Sequence, residues 1–358
     1  MIVKSVKKRR KEMLQGRFKW AVLALAMVFL AGLAPQPADA EDITLRWSHP
    51  SPKRGTEVVW TDWFVKEVEK QTQGRVKVQM FWGGSLCKIT EMAEAVKSGL
   101  ADVGWVTSAY HPGYGELAKV AAAADYISPI ASPVVLTEKW LEFWKKDDAF
   151  YKEYATTNMM PIIQRWYDVY WAFSQKPIKT LEDYKGVKIR AVTEIQQVAY
   201  KAIGATPMFL PSVEIYSALQ KGILDAVGFS PDTAMRYKIQ EVVKYLVRQD
   251  VAGAWAQWCV NLDTWKKISP EDQKIILKLG DEASMTLARM MLEERDKVAE
   301  AFQKAGVEIM DLPKAEADKW NNMPEVKAYA DNWAKEAEAK GLPGQRLLAE
   351  WRKMIGSK

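Results

Sequence analysis

Two separate runs of alternating strand and helix constrain this chain more than any other feature. In the first, Ile43–Trp47 reads as a strand and Glu57–Gln71 as a helix with Val59, Trp63, Val65 and Val68 facing inward. Gly74 stops that helix, and Val76–Phe81 is a second strand. Ile89, Met92, Ala93 and Val96 then fall at helical spacing before Gly99 and a third strand at Val103–Val106. The second run starts at Val187–Val192 and continues through a helix at Glu194–Ile203 and a short strand at Met208–Leu210. A helix from Ser212 to Gln220 follows, and the chain returns to the sheet over Gly222–Gly228. Repeated βαβ units predict mostly parallel sheets covered by helices. Two such units predict an α/β protein of two lobes, with a cleft where the carboxyl ends of the strands meet.

The rest of the chain reads as helical. Ser269-Pro270-Glu271-Asp272 is a start signal: Ser caps, Pro fits the first turn, and the acids suit the positive end of the helix dipole. From there Ile275, Ile276, Leu279, Ala283, Leu287, Met291, Val298 and Phe302 keep one apolar face as far as Gly306, which predicts a brace across both lobes.

Residues 1–40 stand apart. Lys4, Lys7, Lys8, Arg9, Arg10, Lys11, Arg17 and Lys19 precede an apolar stretch from Trp20 to Ala34, and Ala38-Asp39-Ala40 has the small-x-small form of a cleavage site. About 15 apolar residues are short of the ~20 that span a membrane, so the pattern predicts a signal peptide removed before Glu41. These forty residues carry eight basic and two acidic side chains, which is the whole formal charge of +6. The remaining 43 basic and 43 acidic residues cancel. The positive net charge is therefore no argument for a nucleic-acid or membrane-surface partner.

Catalytic equipment is sparse. The two histidines, His49 and His111, lie in loops, and Cys87 and Cys259 are too far apart for a zinc motif, with their pairing left open. No HExxH, GxSxG, P-loop or GxGxxG stands at a strand-to-helix junction. The sequence calls for no enzyme activity, metal or cofactor. What it offers is Arg190 at the end of a strand, whose planar guanidinium matches a carboxylate through two parallel hydrogen bonds. Aromatic residues gather at neighbouring strand ends: Trp105 and Tyr110 near Thr107 and Ser108, then Trp166, Tyr170 and Trp171, and finally Phe229 and Trp255. Together they suggest an apolar wall around a polar clamp.

Several strings resemble one family. Lys176-Pro177-Ile178, Asp183 through Arg190, and Glu214 through Gln220 with Gly222 and Asp225 are similar to the periplasmic solute receptors of tripartite ATP-independent periplasmic (TRAP) transporters, the dicarboxylate-receptor-like family. Gly74–Val78 and Gly99–Gly104 extend the resemblance into the first lobe. It implies a two-lobed periplasmic solute-binding fold with a long helix spanning both lobes and chain crossings near 125–170 and 250. Lobe I would comprise about 41–165 with a segment after 253, and lobe II about 166–252 with part of the C-terminal helical region. It also implies a small organic acid as ligand, with Arg190 clamping its carboxylate, and membrane partners in the small and large TRAP subunits. By position, Ser48, Thr107, Tyr110, Tyr170, Trp171, Phe209, Phe229 and Trp255 would lie near the ligand.

The sequence departs from the family pattern twice. Tyr170 stands where many sialic-acid and diacid receptors carry a second Arg, and Phe229-Ser230 replaces the usual polar residue after the Gly-x-x-Asp strand. A second acidic group would lack its cation unless Arg165 or Arg236 turns inward. The expectation is therefore a monocarboxylate with an apolar or aromatic body. Receptors for dicarboxylates, and ligand-binding sensors for a membrane kinase, are the alternatives.

Overall fold

The computed structural model describes residues 42–123, 132–251 and 253–356. The expected signal peptide lies outside the described residues. The fold rests on two sheets. Along the chain come β1 (Ile43–Ser48), α1 (Thr56–Gln71), β2 (Val76–Phe81), α2 (Met92–Lys97) and β3 (Val103–Val106). Next are α3 (Pro133–Lys146), α4 (Ala149–Ala155), β4 (Met159–Trp166) and β5 (Tyr170–Ser174). The second βα run comprises β6 (Lys188–Arg190), α5 (Glu194–Ala202), β7 (Thr206–Met208), α6 (Ile215–Gln220) and β8 (Ala226–Phe229). After it come α7 (Pro231–Arg236), β9 (Tyr245–Val251), β10 (Trp255–Asn261), the 35-residue α8 (Pro270–Lys304) and β11 (Glu308–Asp311). Three helices close the chain: α9 (Lys314–Asn321), α10 (Pro324–Ala339) and α11 (Gly344–Ile355).

Sheet one has the order β2-β1-β3-β10-β4, and sheet two β11-β9-β5-β8-β6-β7. Each carries one antiparallel strand, contributed where the chain changes lobe. β4 leaves sheet one and β5 enters sheet two antiparallel to β8 and β9; β9 then leaves sheet two and β10 enters sheet one antiparallel to β3 and β4. The two crossings touch. A Cβ on Gly253 would sit 2.3 Å from the Asp168 carbonyl oxygen and 2.5 Å from that of Tyr167, so only glycine allows this approach. Arg295 of α8 donates through Nε to the Asp168 carboxylate at 2.8 Å, which ties the crossing to the long helix.

α8 starts as its sequence signal requires, with Ser269 Oγ accepting from the Asp272 amide at 3.1 Å. It packs on β4, α1 and α3 of the first lobe and on α7 and β11 of the second, so the brace spans both. The approach to β4 is close: a Cβ on Gly280 would lie 1.8 Å from the Ile162 carbonyl oxygen.

α1 presents a different face from the one its apolar spacing suggests. Val59 is exposed and Trp63 half-buried, while Glu57, Trp60, Thr61, Phe64 and Val68 face inward. Trp47, Trp60, Phe64 and Trp258 then pack edge-on or tilted at centroid distances of 5.2–6.1 Å. The inner face includes an acid because Glu57 has buried cationic partners. The C-terminal part is not wholly helical either: β11 adds a parallel edge to β9. Four residues with only Met310 buried give no alternation to read. Cys87 and Cys259 are both buried and unpaired. Among the described residues no helix is long and apolar enough to cross a membrane.

Candidate functional site

The carboxyl ends of β1, β3, β6, β7 and β8 converge between the lobes on about 490 Å³ of space. The first lobe contributes Ser51, Trp105, Thr107 and Tyr110 to its wall. The second contributes Tyr170, Arg190, Ser212, Phe229, Thr233 and Arg236.

Much of the local sequence around Arg190 serves to hold that one side chain. Asp225 accepts from the Lys188 amide at 3.0 Å and returns its own amide to the Lys188 carbonyl at 2.8 Å, joining the start of β6 to the approach to β8. Asp183 accepts from the amides of Lys179 and Thr180, both at 2.8 Å, and so caps the turn before β6. Beyond Arg190, a reciprocal cap between Thr193 and Gln196 starts α5. The Lys185–Arg190 and Gly222–Asp225 strings thus build a frame that presents Arg190 at the cleft.

Arg190 is only 2% exposed, yet no carboxylate among the described residues pairs with it. Its Nε donates to the Leu210 carbonyl at 3.2 Å and Nη1 to the Gly228 carbonyl at 3.3 Å. Nη2 donates to the Tyr110 hydroxyl at 2.9 Å and to Ser212 Oγ at 3.4 Å. The Phe229 ring lies 4.7 Å from its Cζ. A buried guanidinium held by neutral acceptors keeps a full positive charge without a counter-ion, a costly arrangement that an anion entering the cavity relieves. Tyr110 comes from the loop after β3 and Ser212 from the segment after β7. Their contact at 3.0 Å joins the lobes directly over Arg190.

Two further buried cations at the cleft are neutralised. Arg236 borders the cavity, but its Nη1 donates to Glu57 at 2.5 Å and its Nη2 to Asp232 at 3.3 Å and Thr233 at 2.8 Å. Arg165 also donates to Glu57 and, at 3.4 Å, to Asp232, with its guanidinium over the Tyr167 ring. Burial alone would raise the Glu57 carboxyl, but the two guanidinium groups outweigh it and hold it well below the usual carboxylate range. His49 lies 3.4 Å from Glu57, and its own burial lowers its pKa against the pull of that carboxylate. Two cations and two anions cancel. The network also links the lobes, because Glu57 and Arg165 belong to the first and Asp232 and Arg236 to the second.

The sequence-predicted residues divide into three groups. Thr107, Tyr110, Tyr170, Arg190 and Phe229 line the cavity. Phe209 and Trp255 border an adjoining space of about 730 Å³, which shares Ala109, Tyr110 and Val192 with the first. Trp171 and Ser48 are on neither wall. Trp171 is sealed into the core of the second lobe, and its indole N–H donates to Asp250 at 2.8 Å. A buried strand does not reveal from sequence whether a large ring faces ligand or core. Ser48 ends β1 fully buried against Cys87 Sγ at 3.2 Å, and Ser51, three residues on, reaches the wall instead. The sequence reading did not single out Ser212, whose position reads as an ordinary helix cap, or Thr233.

Comparison with known proteins agrees with this architecture. Residues 48–336 match the family described as bacterial extracellular solute-binding protein, family 7. The chain is 24% identical over 287 residues to the 2,3-diketo-L-gulonate-binding periplasmic protein of Escherichia coli K12, covering 79% of this chain and 86% of that one. A TRAP periplasmic solute-binding protein from Desulfovibrio salexigens with bound orotic acid superposes with a TM-score of 0.78 at 24% identity, over 87% of this chain and 98% of that one. A second, from Bordetella bronchiseptica with bound (R)- and (S)-mandelate, gives 0.76 at 22% identity, over 88% and 99%.

Proposed function

We propose, for a chain that belongs to family 7 of the bacterial extracellular solute-binding proteins, that its cleft captures a monocarboxylate with an apolar or aromatic body, with Arg190 as the carboxylate clamp. After removal of residues 1–40 the receptor works in the periplasm and delivers its ligand to the small and large membrane subunits of a TRAP transporter. It carries out no covalent chemistry. The carboxylate bridges groups from both lobes and so favours the closed arrangement over the open one.

One observation carries the reading: Arg190 is buried at the cavity without a carboxylate partner, whereas Arg165 and Arg236 are already matched by Glu57 and Asp232. One uncompensated charge calls for one carboxylate. Tyr110, Tyr170, Phe229 and Trp105 then offer rings to the body of the acid. Orotic acid and mandelate, the ligands of the two similar structures, each place one carboxylate on a ring-bearing molecule.

The test is a thermal-shift screen of residues 41–358 against benzoate, mandelate and aliphatic 2-oxo acids, with succinate, malate and the corresponding amides alongside. A monocarboxylate at about 100 times its dissociation constant should add about 2.7 kcal/mol of stability. Stabilisation by C4-dicarboxylates alone, or equal stabilisation by acid and amide, would contradict the reading.

A further inference from the structure

We propose that the indole N–H of Trp105 selects a ligand carrying, besides its carboxylate, one uncharged acceptor oxygen: a hydroxyl, oxo or ether group placed away from the carboxylate end. This inference rests on the reading of Arg190 as a carboxylate clamp and adds the ligand's second recognition point.

Trp105 is 5% exposed and lines the same cavity as Arg190, yet its Nε1 is buried without a hydrogen-bond partner. A buried unpaired donor is costly, and an acceptor brought in by a ligand removes that cost. Three neighbouring polar side chains on this wall are already engaged. Thr107 Oγ1 donates to the Trp255 carbonyl at 2.9 Å, Ser212 Oγ contacts the Tyr110 hydroxyl, and Thr233 Oγ1 accepts from Ser230 and Arg236. Arg236 Nε is also unpaired, but its guanidinium belongs to the neutral four-charge network and borders a second space beyond it.

Position fixes the class further. Tyr110 meets Arg190 through its hydroxyl and Trp105 through its ring, with centroids 5.2 Å apart at 75°. Tyr110 thus contacts both residues, which places the second recognition point beside the clamp's own partner and suits an oxygen on the body of the acid. A second carboxylate there would be an anion facing a neutral N–H, with no unpaired cation among the described residues on this wall to receive it.

The experiment compares benzoate with 3- and 4-hydroxybenzoate by titration calorimetry in the wild type, Trp105→Phe and Arg190→Gln. Phenylalanine keeps a ring and removes only the donor. The wild type is expected to prefer a hydroxy acid over benzoate by roughly two- to twelve-fold, the range of one neutral hydrogen bond, and that ratio should collapse to about one in Trp105→Phe. In ¹⁵N-labelled wild type, the indole resonance assigned to Trp105 by its loss in Trp105→Phe should move downfield with the hydroxy acid relative to benzoate. The shift itself is read in the wild type, and the variant serves only to assign the resonance. If the acids bind and depend on Arg190, but the ratio and the resonance ignore Trp105, the Trp105 assignment is overturned and the clamp stands. If none of the acids binds the wild type, the aromatic-acid reading of the cleft falls and takes this inference with it.

Discussion

Replacing Glu57 by Gln tests whether the four-charge network holds the lobes as described. The substitution keeps the side chain's volume, so its cost reports charge rather than a cavity. Glu57 is fully buried, takes Arg165 and Arg236 on one carboxylate oxygen, and accepts from Trp60 Nε1 at 2.8 Å on the other. Without its charge the network passes from neutral to one net positive charge, with two guanidinium groups left to Asp232. Breaking one member out of a buried ion network costs about 3–5 kcal/mol, and urea unfolding followed by tryptophan fluorescence would read it at pH 7. A double-mutant cycle sharpens the test. Adding Arg236→Met to Glu57→Gln restores neutrality, so the pair should cost less than the sum of the two single changes by about 1–3 kcal/mol. The pH dependence has a definite sign. The Glu57 carboxyl in the folded protein lies well below its unfolded value of about 4.3. Its contribution is therefore present above that value and lost as the pH falls toward the folded pKa. The gap between wild type and Glu57→Gln should narrow below about pH 4. A cost under about 1 kcal/mol at pH 7, or additive single changes, would refute the network.

Three further outcomes follow from other parts of the molecule. Gly280→Ala drives a methyl group into the Ile162 carbonyl of β4 and should destabilise the protein by about 3 kcal/mol or more, read in the same unfolding assay. Glu153 is pushed up to about 7 by its burial, against the amides of Glu116 and Leu117 that donate to it. A carboxyl raised on folding lowers stability as the pH climbs from its unfolded value to its folded one, so Glu153→Gln should flatten the decline between pH 5 and 8. Tyr110→Phe removes the hydroxyl that joins the lobes over Arg190, and should weaken binding of a monocarboxylate by about 0.5–1.5 kcal/mol if that hydroxyl also serves the bound acid.

What the sequence disclosed depended on how local each signal is. β2 could be read to the residue, β3 closely, and α8 from its Ser269 cap to the turn before Gly306, because their apolar periodicity and caps lie within the segment itself. β10 was not legible as a strand. All seven of its residues are buried, so Trp255–Asn261 shows no alternation, and its place between β3 and β4 depends on strands about 100–150 residues earlier. At the candidate site, Arg190 stood out through its strand end and the strings around it. The network at Glu57 did not: residues 57, 165, 232 and 236 meet only in three dimensions, and an acid at 57 reads as a solvated helix face. The same buried acid turns the inward face of α1 away from Val59, which the apolar spacing points to the core. Trp171 and Ser48 failed for the opposite reason, since their positions pointed to the cleft while their side chains are consumed by the core and by Cys87.

The affinity of wild type and Arg190→Gln for the tightest monocarboxylate from the thermal screen tests the central claim most directly, with the variant's unfolding transition recorded alongside. Removing the one charged partner of a buried carboxylate should cost about 2–5 kcal/mol of binding, a loss of roughly thirty-fold to several thousand-fold in Kd. A folded Arg190→Gln that binds the acid within two-fold of wild type would contradict it.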